Sequence, residues 1–120
     1  MEKPHKKLKV WQLPLDIAVD IYTITTKFHA DEKFGLTSQM RRCLVSISSN
    51  IAESAARNTK KEFVNFLYIA KGSLSALDTQ LELSKRLNYL NDTPWTDLDE
   101  KLNEQDKIIS GLIRSQKEQL

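Results

Sequence analysis

The sequence predicts an all-α protein, an antiparallel up-and-down four-helix bundle. Two observations carry that expectation: apolar residues recur at three- and four-residue steps in four separate blocks, and no block shows the period-two alternation of a strand. A third is punctuation, because glycine and proline are scarce, three each, and divide the chain into helix-length blocks. Short connections between amphipathic helices make sequential helices antiparallel neighbours.

The first helix is expected over 15–26, with Pro14 in its opening turn, where a missing N–H costs nothing. Trp11, Leu15, Ala18, Tyr22 and Thr25 form one helix-period stripe, and Ile17, Ile21, Ile24 and Phe28 form a second, so the apolar face is broad. The periodicity then breaks, and Gly35 marks a turn. The second helix is expected over 38–56 with Thr37 as its N-cap and Met40, Leu44, Ile47, Ile51 and Ala55 as its core face. At about 100° per residue, Gln39, Arg42, Ser46, Ser49, Asn50, Glu53 and Arg57 gather into a polar stripe on its other side.

The third helix, expected over 60–87, opens with Thr59-Lys60-Lys61-Glu62, the pattern of a capping box. Phe63, Leu67, Ala70, Leu74, Leu77 and Leu81 carry its rhythm through Gly72, a residue that costs about 1 kcal/mol against alanine and suggests close approach of another helix. Phe66, Ile69, Ala76, Leu83 and Leu87 widen the apolar arc beyond what a one-sided helix needs. The fourth helix is expected over 94–117, started by Thr93 and Pro94. Its core edge is Trp95, Leu98, Leu102, Ile109, Leu112 and Gln116, a stripe that Gln105 interrupts.

The 120 residues suit one domain spanning 1–120, and exclude a large enzyme with separate cofactor and substrate domains. No run reaches the ~18 uncharged apolar residues of a membrane span, and Met1-Glu2-Lys3-Pro4-His5 lacks a signal-peptide core, so the expected location is cytoplasmic with no membrane partner. Phosphate-loop, dinucleotide, zinc-protease and nucleophile-elbow motifs do not occur. Neither His5 nor His29 follows a glutamate by three residues, as di-iron bundles require, and the single Cys43 reads as an inert thiol at the edge of the core. No catalytic residue, metal or cofactor is expected.

Basic residues are more informative. Lys3, Lys6, Lys7 and Lys9 crowd the segment 1–9, Arg41 and Arg42 open the second helix, and Arg57, Lys60 and Lys61 cluster at its far connection. Residues 1–60 hold ten Lys+Arg and six Asp+Glu, whereas residues 61–120 hold eight and ten, so the chain is polarised although its net charge is only +2. A surface that gathers lysine and arginine attracts phosphate backbones without sequence selectivity, so these nine residues are candidates for binding RNA or DNA. Lys6, Lys7, Arg41, Arg42, Lys60 and Lys61 are expected to share one accessible face. Small residues at Ser46, Ser49, Ala52, Ala56, Gly72 and Ser73, beside the wide arc of the third helix, point to association between copies of the chain. The alternative is a protein adaptor, with a partner helix docked against Ile69, Leu83 and Leu87.

Several ordered motifs resemble one family. Val10-Trp11-Gln12, Phe34-Gly35-Leu36-Thr37-Ser38-Gln39 leading to Arg41-Arg42, Ser46-Ile47 with Asn50-Ile51-Ala52-Glu53, Arg57, and Phe66 through Ser73 are similar to bacterial four-helix-bundle proteins encoded in intervening sequences of 23S ribosomal RNA genes. The resemblance runs from about Leu8 to Leu90 and loosely beyond. His29 departs from a usual proline, and Ser54 from a usual glycine. The resemblance implies a homopentameric ring like that of the accessory variability determinant of diversity-generating retroelements, a relative that binds nucleic acid and a reverse transcriptase. It places Gln39, Arg42, Asn50, Glu53 and Arg57, with Gly72 and Ser73, in packing between helices or subunits. A reverse transcriptase or another locally encoded protein becomes a candidate partner, and no catalytic residue is implied.

Overall fold

The computed structural model describes residues 8–118. Among them are four helices, α1 (Lys9–Thr25), α2 (Leu36–Ala55), α3 (Lys60–Arg86) and α4 (Asp92–Glu118), with a short 3₁₀ turn at Ala30–Glu32 between the first two. Side-chain contacts fix the directions. Ser46 meets Ser73 while Arg57 meets Phe66, so α2 and α3 run antiparallel. Lys71 reaches Asp106 while Lys85 lies over Trp95, and Val10 meets Gln105 while Asp20 meets Lys101, so α4 runs against both α3 and α1. The result is an up-and-down four-helix bundle, 45 × 27 × 22 Å.

The core is one cluster built from a single stripe of each helix: Ile17 and Ile21 from α1, Met40, Leu44, Ile47 and Ile51 from α2, Leu67, Ala70, Leu74, Leu77 and Leu81 from α3, and Leu98, Leu102, Ile109 and Ile113 from α4. Burying one such large side chain contributes about 1.5–3 kcal/mol. Of the two expected stripes of α1, the one through Ile17 and Ile21 is inside. On the other, Leu15 and Tyr22 are exposed and only Thr25 is buried.

The boundaries differ from expectation where side chains outside the repeat supply the cap. Helix α2 begins at Leu36, so Thr37 is not its cap but lies buried in its first turn, and the Glu32 carboxylate accepts from the Leu36 N–H at 3.4 Å. The inner stripe of α2 ends on Ser54, 1% exposed with its hydroxyl donating to the Ile51 carbonyl, and Ala55 faces outward. Thus the hydroxyl of this buried serine is satisfied by a local bond. Helix α4 starts at Asp92, before Thr93 and Pro94, and Ile113, not Leu112, fills its inner stripe near the end. Half of the capping box expected for α3 is present: Thr59 accepts from the Glu62 N–H at 3.2 Å, and no return bond from the Thr59 N–H to the Glu62 carboxylate forms among the described residues.

The largest difference is in α1, which starts at Lys9 and carries Pro14 inside it. A proline has no N–H to give to the carbonyl four residues back, here that of Val10. The Gln105 side chain, 0% exposed, donates to that same carbonyl at 2.9 Å. The glutamine that interrupts the α4 stripe therefore completes a hydrogen-bond ladder broken in α1. An orphaned buried carbonyl would cost about 1–3 kcal/mol.

Candidate nucleic-acid interface

The short α2–α3 connection fixes where the candidate cations go. Lys3, Lys6 and Lys7 lie outside the described residues. Lys9, the first residue of α1, pairs with Glu104 of α4. The others fall at opposite ends of α2, about 22 Å apart at 1.5 Å per residue, as two groups and not one cluster.

At the far end, Arg57 pairs with Glu53 one turn earlier and places its guanidinium 4.9 Å from the Phe66 ring of α3. Lys60 and Lys61 are the first two residues of α3 and are exposed. Cations in a first turn oppose the helix dipole at a cost of about 0.3–1 kcal/mol, which Glu62 beside them partly offsets.

At the near end, Arg41 is held from two sides: its Nε donates to the Thr25 hydroxyl at 3.1 Å, and its guanidinium carbon sits 4.5 Å above the Tyr22 ring. Arg42 is exposed and has no partner among the described residues. The two arginines, Tyr22, Thr37, Ser38, Val45 and Ser46 line a groove of about 490 Å³ between α1 and α2. No carboxylate lines it. Sequence reasoning named both arginines but assigned Tyr22 and Thr25 to an apolar stripe. Their three-residue spacing on α1 is the signal that could have paired them with a long cation on α2.

The opposite side of the bundle is acidic. Residues 92–106 hold six carboxylates against Lys101 alone. Asp20, Asp97, Glu100 and Glu104 line a cleft of about 470 Å³ between α1 and α4, where Lys101 donates to Asp20 at 2.5 Å. Between α3 and α4, burial pushes the Asp78 carboxyl above its ordinary range, with the nearby charges of Asp99, Glu82 and Asp106 adding to the shift. No group of histidine, cysteine and carboxylate among the described residues is arranged to hold a metal ion.

The packing residues separate into two kinds. Asn50 donates to the Ser46 carbonyl at 2.7 Å, and the Ser46 and Ser73 hydroxyls meet at 2.8 Å, which seals α2 against α3 within one chain. Gln39 and Gly72 instead face outward. A Cβ added at Gly72 would meet nothing within 4 Å, so the close helix approach expected there does not occur inside the bundle. Ile69, Leu83 and Leu87 are about half exposed along the outer side of α3.

The family model of the 23S rRNA-intervening sequence protein matches residues 6–111, nearly the whole chain. The chain belongs to that family. The chain is similar to a solved structure, the crystal structure of a protein of unknown function from the S23 ribosomal protein family of Bacteroides thetaiotaomicron. It shares 25% sequence identity, with a TM-score of 0.79 covering 87% of this chain and 97% of that one. Comparison with curated proteins finds no match. In the described part of this family member, no helix is long and apolar enough to cross a membrane.

Proposed function

We propose that the protein is a non-enzymatic, homo-oligomeric bundle that binds the backbone of RNA or DNA through its α2 side and serves as a scaffold for a nucleic-acid enzyme. The observation that carries the reading is the division of charge across the bundle. Arg41, Arg42, Arg57, Lys60 and Lys61 lie along and beyond α2, with Glu53 the only carboxylate within that helix, whereas the first half of α4 is strongly acidic. Such a molecule presents one side to polyphosphate and repels it from the other. The resemblance to the accessory variability determinant supports a pentameric ring and makes a reverse transcriptase the candidate enzyme partner. A cytoplasmic location suits either nucleic acid.

A second reading, a protein adaptor without nucleic acid, is favoured by the exposed Ile69, Leu83 and Leu87 on α3. Those residues equally suit contact between subunits. Light scattering decides: a pentamer that gains mass with RNA at low salt and loses it at high salt is expected. A pentamer indifferent to RNA would favour the adaptor, and a stable monomer would remove the ring.

A further inference from the structure

We infer that the groove between α1 and α2 receives a single unpaired nucleotide of a nucleic-acid strand, its base stacked on the Tyr22–Arg41 pair and its phosphate held by Arg42. The inference rests on the nucleic-acid reading above and assigns that reading a place and a strand state. Arg41 is already committed to one position: its Nε donates to the Thr25 hydroxyl at 3.1 Å and its guanidinium carbon lies 4.5 Å from the centre of the Tyr22 ring, a cation–π contact. Tyr22 keeps 44% of its surface exposed beside Arg41. Aromatic rings and arginine planes are the surfaces on which unstacked bases lie, and a base still paired in a duplex presents no open face to them.

The other groove residues suit the phosphate. Arg42 has no carboxylate or other partner among the described residues, one turn from Ser38 and Ser46 on the same wall. Thr37 is 8% exposed and its hydroxyl makes no hydrogen bond among the described residues, yet it lines the groove. Its hydroxyl is therefore open to the groove and can donate to an anion there. The absence of any lining carboxylate selects an anion, and a volume of about 490 Å³ falls within the range of small-ligand sites.

The test is fluorescence anisotropy on the full chain with three probes: a labelled single-stranded uridine 12-mer, a duplex of equal length, and uridine monophosphate as competitor. The single strand is expected to bind more tightly than the duplex. Tyr22→Ala is expected to weaken it about five- to hundredfold, as loss of one stacking platform does, while Tyr22→Phe keeps wild-type affinity. Arg42→Gln is expected to lower the salt slope by about one phosphate contact. Both side chains are exposed, and circular dichroism checks that each variant is folded.

Wild-type affinity in both Tyr22→Ala and Arg42→Gln, with loss in Lys60→Gln/Lys61→Gln, would overturn the groove and leave the nucleic-acid reading standing. Equal or tighter binding of the duplex would overturn the unpaired nucleotide. Uridine monophosphate binding as tightly as the strand would make this a free-nucleotide pocket and overturn the strand assignment. No binding of any probe would overturn both this inference and the reading beneath it.

Discussion

The two long seams of the bundle are held by different means. Between α2 and α3 the contact is the most extensive in the molecule, built from Met40, Leu44, Ile47 and Ile51 against Leu67, Leu74, Leu77 and Leu81, with small hydroxyls closing its outer edge. Helices α1 and α4 flank an acidic cleft and are tied by the Gln105–Val10 bond and the Lys101–Asp20 and Lys9–Glu104 pairs. Apolar contact is non-directional and spread over many side chains, so the first seam is held along its whole length, whereas each tie of the second depends on particular donors and acceptors. One side is a rigid hairpin, and the other is an edge pinned at points.

The difference is broken most severely at the hairpin. Leu77, 0% exposed, replaced by alanine is expected to cost about 2–5 kcal/mol in urea unfolding, because the cavity cannot be refilled between two close helices. At the pinned edge, Gln105→Leu is expected to cost about 1–3 kcal/mol by orphaning the Val10 carbonyl. The sharper measurement there is a double-mutant cycle. In a Pro14→Ala background the new N–H serves Val10, and the cost of Gln105→Leu should fall by about 1 kcal/mol. Additivity would show that the two residues are independent.

Lys101→Met is expected to have the smallest effect, up to about 1 kcal/mol, since the pair is partly exposed. The Lys101 ammonium is held above its ordinary pKa of 10.5, mainly by its hydrogen bond to Asp20. A raised lysine pKa contributes stability that is fully present below 10.5 and is lost as pH rises through the folded value. Thermal unfolding of wild type and variant should therefore converge in strong alkali.

The hairpin was legible because periodicity reports apolar burial, and Leu67, Ala70, Leu74, Leu77 and Leu81 keep the helical rhythm without interruption. The edge was not, because its ties join residues whose pairing depends on three-dimensional register. Pro14 resembled a helix start, since the carbonyl it orphans is satisfied from another helix, which no local pattern records. The candidate site was half legible: the arginines announce themselves by charge, but the tyrosine and threonine that fix Arg41 share spacing with core residues.

The Pro14–Gln105 pairing also sets an order of events during synthesis. The Val10 carbonyl and its donor are separated by 95 residues. At translation speeds of roughly 5–20 residues per second, α1 emerges about 5–20 s before the side chain that completes it. The α2–α3 hairpin can close in that interval, while the first helix waits for the last one to leave the ribosome.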